Sequence, residues 1–144
     1  MPYPDYLTAP MRDELTTLGV RECRTAAEVD EVVQSPGVVM MVVNSVCGCA
    51  AGKARPGIAM ALQHEHKPDV LASVFAGADI EATARAREHF TGFAPSSPSI
   101  ALLRDDQVLY MIERRDIEAR SAEAIADMLT LAFDKYCAPQ AAAH

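Results

Sequence analysis

Cys47 and Cys49 flank a single glycine, Gly48, between an apolar run and an alanine-rich stretch. Only a thiolate attacks a disulfide, and the first amides of a helix together with nearby cations favour that anion. Two thiols this close also allow one to displace a group from the other by exchange. Its place ahead of the helix makes Cys47 the expected nucleophile and Cys49 the expected resolving thiol. The spacing is demanding. Residues two apart on a regular helix do not face each other. In an extended strand their alpha carbons fall near or beyond the roughly 7 Å that a disulfide spans. Gly48 is expected to supply the tight, unusual turn that closes the pair. The resulting disulfide would be somewhat strained and suited to exchange or isomerisation.

Other residues could join this chemistry. Ser97-Pro98-Ser99 sits in a serine- and proline-rich loop ahead of an apolar segment, a setting where an X–Pro bond can be cis. Packed on the cysteines, Pro98 would leave neighbouring backbone free to pair with a bound chain; an ordinary loop proline is the alternative. Arg55, just before Pro56, is a candidate support for the thiolate. Lys53 and Arg114-Arg115 could raise the thiolate population or guide anionic thiols, or be solvated surface charge. Cys23 and Cys137 read as buried or incidental thiols. Cys-Gly-Cys could instead be half of a zinc site, completed by His64 and His66 or by Cys23 and Cys137. There is no second cysteine pair, and His64 and His66, beside Glu65 and Lys67, fit an exposed helix end. A non-catalytic interaction domain is the remaining alternative.

The elements that must position these groups are marked by apolar period and turn chemistry. Residues 1–10 read as a proline-broken, flexible lead-in and residues 11–18 as a short helix closed by Gly19. Thr25 and Glu28 form a capping box for a helix bearing Val29, Val32 and Val33, ended at Ser35-Pro36-Gly37. The run VVMMVV at 38–43 predicts a central parallel strand buried on both faces. Residues 50–63 read as a helix in which Pro56 makes a kink or a fresh first turn. A second strand follows at 70–75 and a helix at 79–90. Segments 99–103 and 107–112 form a hairpin about Asp105-Asp106. A helix at 121–136 carries Ile125, Leu129 and Phe133, and residues 139–144 are a flexible tail. Apolar stripes at helical spacing are core. The order predicts one α/β domain over 1–144, a central mixed β-sheet flanked by helices on both faces.

Bulk properties exclude some functions. The chain has 144 residues and a formal charge of −7, so clustered cation binding to nucleic acid is not expected. No apolar stretch reaches the ~18 residues of a membrane span. The opening MPYPD lacks a basic start and an apolar core, so a cytoplasmic location is expected rather than secretion. In such a chain a close cysteine pair is more often catalytic or metal-binding than a structural staple. The apolar content permits a monomer or a homodimer.

Asn44-Ser45-Val46-Cys47-Gly48-Cys49-Ala50, followed by Gly52, Arg55 and Pro56, resembles the signature of the bacilliredoxin family. Phe90-Thr91-Gly92, Pro95-Ser96-Ser97-Pro98-Ser99 and Phe133-Asp134-Lys135-Tyr136-Cys137 are similar too. The resemblance implies a thioredoxin-like fold. It implies removal of bacillithiol, a low-molecular-weight thiol, from protein mixed disulfides, with weak disulfide isomerase activity besides. Its implied partners are S-thiolated client proteins and a small thiol co-substrate, with no cofactor. In that mechanism Cys47 takes the thiol onto itself, and Cys49 or a second small thiol clears it. Pro98 matches the cis-proline that faces the cysteines. Cys23 stands where similar sequences more often carry an apolar residue.

Overall fold

A computed structural model describes residues 2–139. Strands β1 (Arg21–Glu22), β2 (Val39–Asn44), β3 (Val70–Phe75), β4 (Ser99–Arg104) and β5 (Gln107–Ile112) form one five-stranded sheet in the order β1-β3-β2-β4-β5. All six residues of β2 are buried. A strand apolar on both faces is stable only where both faces are covered, and that condition puts it at the sheet centre. It pairs in parallel with β3 and antiparallel with β4. The result is the thioredoxin-like mixed sheet that the sequence predicts.

Helices α1 (Asp5–Thr16), α2 (Ala26–Val33), α3 (Arg55–Ala61), α4 (Ile80–His89), α5 (Arg114–Glu118) and α6 (Ala122–Tyr136) surround it. The two-residue period of β2 splits its side chains between two cores. Met40 and Val42 pack with Leu15, Ile58, Leu129 and Phe133 beneath α1, α3 and α6. Val39, Met41 and Val43 pack with Val29, Val32 and Ala82 beneath α2 and α4. At Gly57 a Cβ would come within 2.9 Å of Ile125 Cγ2, so a side chain there would push α3 off α6. The capping box of α2 is formed: the Glu28 amide donates to Thr25 Oγ1, and the Thr25 amide donates to Glu28 Oε1, each at 3.2 Å. Asp105 (φ 51°) and Asp106 (φ 60°) make the hairpin loop with two left-handed residues, the backbone of a type I′ turn.

Three elements depart from the sequence reading. The lead-in expected over 1–10 is helical from Asp5, with Pro10 inside the helix. What holds these first turns is polar and therefore left no apolar stripe. Buried Arg12 donates to both Asp79 carboxylate oxygens at 2.8 and 2.9 Å and to Thr8 Oγ1 at 3.1 Å. Its guanidinium also lies 5.0 Å from the centroid of the Phe75 ring. The short helix α5 was not expected; Glu113 and Asp116 cap it reciprocally. Strand β1 is only two residues long, too short to show a period. Of the tail expected over 139–144, residues 140–144 lie outside the described residues.

Candidate active site

Strand β2 ends at Asn44, and two residues later the chain turns into helix at the cysteines. The Cys47 carbonyl accepts the amides of Ala50 and Ala51 at 3.1 and 3.2 Å, and residues 48 and 49 are already helical. A π-helical turn, Ala50–Ala54, follows, with the Arg55 amide donating to the Ala50 carbonyl. Pro56 explains this widening. It has no N–H for the Gly52 carbonyl, and its ring would crowd that carbonyl in a regular turn. α3 then restarts with Pro56 in its first turn.

With the thiols free, Gly48 is helical and not in the tight turn expected for the closed pair. It is exposed, stays out of the left-handed region, and has nothing within 4 Å of where a Cβ would sit. All four cysteines are free thiols. With no bond drawing the sulfurs together, the Cys47 carbonyl is satisfied by helix amides and the pair lies along an ordinary first turn. Cys49 packs against the core beneath α3 and α6, while Cys47 lines a pocket.

The Cys47 thiol is held below its ordinary pKa. Burial pushes it up and is the largest single influence, but four others outweigh it together: the Ser45 hydroxyl, the Ala50 and Cys49 amides, and the charge of Arg114. Ser45 is itself fixed, its Oγ accepting the Cys47 amide at 3.2 Å. Arg114 opens α5. Its Nη1 donates to the Ser97 carbonyl at 3.2 Å, its Nε to Glu118 Oε1 at 3.1 Å, and its amide to Ser96 Oγ at 3.4 Å. Arg114 thus holds the 96–97 loop by its amide and its guanidinium, and its charge favours the Cys47 thiolate. In that loop the Ser97–Pro98 bond is cis and Pro98 is buried.

Arg55 does something other than support the thiolate directly. It is buried, and its Nη1 donates to Asn44 Oδ1 at 2.9 Å and to the Ser45 carbonyl at 2.8 Å. Its Nε lies 3.0 Å from Glu14 Oε1 but out of line for a hydrogen bond, so that contact is ionic only. Asn44 Oδ1 also accepts the Ser45 amide at 2.9 Å, and Asn44 Nδ2 donates to the Met11 carbonyl at 3.2 Å. Arg55 therefore ties down the segment that carries Cys47, and Arg114 is the cation that acts on the sulfur. Lys53 is engaged elsewhere, its Nζ donating to the Glu118 carbonyl at 2.7 Å. Asn44 and Ser45 had no assigned role in the sequence reading, and Arg114 was weighed there only beside Lys53 and Arg115 as a cation that could raise the thiolate population. The signal for the first two was their place: polar residues closing a wholly apolar strand.

The remaining thiols are quiet. Burial pushes Cys23 and Cys137 up to about 11. His64 Nε2 and His66 Nδ1 both meet Asp134 Oδ1, at 2.8 and 2.7 Å. Those three form the one ligand cluster among the described residues, and it includes no cysteine. The zinc arrangement considered for Cys-Gly-Cys is thus not assembled there. The pocket beside Cys47 measures about 380 Å³ and is lined by Tyr3, Ser45, Arg87, Ser97 and Arg114 among others. A smaller, apolar recess of about 230 Å³ lies between β5 and α6, lined by Tyr110, Met128 and Leu131, away from the cysteines.

A protein-family model described as "Disulphide isomerase" matches residues 3–137. The chain is 56% identical over 142 residues to a bacilliredoxin of Koribacter versatilis, covering 98% of both proteins. It is 53% identical over 142 residues to a bacilliredoxin of Geobacillus kaustophilus, covering 95% of this chain and 98% of that one. A bacilliredoxin of Salinibacter ruber is 51% identical over 140 residues, with 95% of this chain and 82% of that one covered.

Proposed function

The chain belongs to the bacilliredoxin family and is a thiol–disulfide oxidoreductase, and on that premise we propose that Cys47 takes a small thiol of the bacillithiol type off client proteins. The Cys47 thiolate attacks the small thiol's sulfur in a mixed disulfide on the client. The client–thiol S–S bond breaks, a Cys47–small-thiol disulfide forms, and the client leaves as a thiolate that water protonates. Cys49, once deprotonated, then attacks the Cys47 sulfur. That step forms the Cys47–Cys49 disulfide and releases the small thiol as thiolate. Alternatively, a second small thiolate from solution attacks the small thiol's sulfur in the Cys47 mixed disulfide, forming a small-molecule disulfide and releasing the Cys47 thiolate.

The observation that carries this reading is Cys47 itself: a partly exposed thiol at the head of a helix, on a pocket, with its pKa lowered. A leaving group of low pKa departs readily, so the same electrostatics that ready Cys47 for attack also ready it for release. Arg55 is the positioning residue of this site, holding Asn44 and the Ser45 carbonyl. Pro98 is buried directly behind Ser97, which lines the pocket, and its fixed ring sets the course of that loop beside the client chain. The family description also supports shuffling of a client's own disulfides by the same attack and return.

Separate Cys47→Ser and Cys49→Ser variants, assayed on an S-thiolated client, test the assignment. Cys47→Ser is expected to abolish turnover. Cys49→Ser is expected to keep the first attack and trap the small thiol on Cys47, visible as a mass adduct. Turnover retained by Cys47→Ser would overturn the assignment.

A further inference from the structure

We infer that His64, His66 and Asp134 form a site for a divalent transition-metal ion of the zinc class, at the far end of α3 from the cysteines. Two imidazoles and one carboxylate are a donor set that borderline ions such as Zn²⁺ take up, with a water completing the tetrahedron. The fold gathers those donors at one point. His64 Nε2 lies 2.8 Å, and His66 Nδ1 2.7 Å, from the same atom, Asp134 Oδ1. All three donor atoms lie within 4.8 Å of one another. Bonds of about 2.0–2.1 Å set tetrahedral ligand atoms roughly 3.3–3.4 Å apart, so each nitrogen–oxygen contact need open by only about 0.6 Å. The ring nitrogens that meet Asp134 would then give their lone pairs to the ion, with the ring protons on His64 Nδ1 and His66 Nε2.

The donors come from two elements that are packed firmly together. Asp134 lies near the end of α6, and His64 and His66 follow the end of α3. These helices meet at Gly57, where a Cβ would come within 2.9 Å of Ile125 Cγ2. Beyond α3 the chain stays wound. The Leu62 amide donates to the Ile58 carbonyl, Gln63 to Met60 and His64 to Ala61, at 3.0, 3.2 and 3.0 Å. On the other side of His66, Pro68 is buried and the Asp69 amide donates to the Val38 carbonyl at 2.8 Å. The two rings are inclined at 77° with centroids 5.9 Å apart, so they approach the carboxylate from different directions. The histidine side chains are 31% and 30% exposed, which leaves water a path to the fourth position. No cysteine belongs to this cluster, so the site is separate from the thiol chemistry. An ion held there would join the end of α3 to α6 and stabilise the fold by mass action.

The test is a calorimetric titration of Zn²⁺ into the full chain carrying Cys47→Ser and Cys49→Ser, so that the thiol pair cannot compete for the ion. One ion per chain is expected to bind. Adding His66→Gln or Asp134→Asn should weaken binding at least tenfold, since losing even a group that only orients a ligand costs about 10–100-fold. Mg²⁺, which prefers oxygen ligands, should not displace the zinc. Zn²⁺ at 100 times its Kd should raise the Tm by about 5–10 °C, and should leave the Tm of the His66→Gln and Asp134→Asn proteins unmoved. A second measurement locates the ion: the ring-proton resonances of His64 and His66 should shift together on adding Zn²⁺. Those of His89, held by Asp30 and Asp106, should stay in place. Zinc bound by the parent but not by the double-serine protein would put the ion on the thiols and overturn the inference. An unchanged Kd in both His66→Gln and Asp134→Asn, or a zinc titration that leaves the His64 and His66 resonances unmoved, would overturn it equally.

Discussion

Replacing Gly48 with alanine separates the two oxidation states of the cysteine pair. In the reduced protein Gly48 is helical, exposed and open on the side where a methyl group would go. Alanine should therefore stabilise that state by about 0.4–1 kcal/mol, through helix propensity and a less flexible unfolded chain. Joining Cys47 to Cys49 is different. Side chains two apart on a helix point to opposite sides, at about 100° per residue, so bonding the sulfurs must take residue 48 out of the helical backbone. If it enters the left-handed region, a Cβ costs about 1–2 kcal/mol there. The unfolded-chain effect is common to both folded states, so the disulfide is disfavoured relative to the dithiol by the left-handed cost alone, about 1–2 kcal/mol. At 30 mV per 1.4 kcal/mol for a two-electron couple, Gly48→Ala should raise the reduction potential by about 20–40 mV. The assay is equilibration against a glutathione redox buffer, with the two states counted by mass, beside thermal melts of the reduced proteins. A potential within ~10 mV of the parent would refute the claim that closure needs a non-helical residue 48. A destabilised reduced form would refute the claim that this position is open.

Two further perturbations test the electrostatics and the frame. Cys47, with its pKa lowered, should be alkylated by iodoacetamide with a midpoint below the ordinary ~8.5 of a thiol, ahead of Cys23 and Cys137, whose thiols burial pushes up to about 11. First labelling of Cys23 at neutral pH would contradict this. The linkage signs are opposite. Cys47 adds stability above the unfolded thiol pKa, which is lost as pH falls through its own; Cys23 and Cys137 stay protonated in the fold and cost stability as pH rises from about 8.5 toward 11. Asp79→Ala leaves the buried Arg12 guanidinium with only the longer Glu22 contact at 3.8 Å and should cost about 3 kcal/mol in denaturant unfolding, the low end for a broken buried pair, and a loss below ~1 kcal/mol would show the pair to be solvated.

What could be read early was whatever a few neighbouring residues decide among themselves. VVMMVV could only be a strand covered on both sides. Thr25 and Glu28 cap the helix between them, and Asp105-Asp106 turn the hairpin with their own backbone angles. Pro56 likewise announced a change of turn, since its missing N–H acts within one helical turn. The first turns of α1, ahead of the helix read at 11–18, escaped because Arg12 is satisfied by a carboxylate 67 residues away, and a buried polar face has no apolar period.

The same division runs through the site. By itself the sequence determined that Cys47 and Cys49 meet at a strand-to-helix junction, where helix amides can lower a thiol pKa, and that the pair is suited to exchange. Only the tertiary structure decided which cation's charge favours the thiolate. Arg55 is nearer in the chain but is drawn to the Asn44 side chain and the Ser45 carbonyl, while Arg114 arrives from α5, with its Nη1 on the Ser97 carbonyl. It also decided that Gly48 is helical when the thiols are free. The physical reason is range. Caps, turns and periods are settled over a few residues, whereas charge and burial at a point in space depend on every element the sheet brings there.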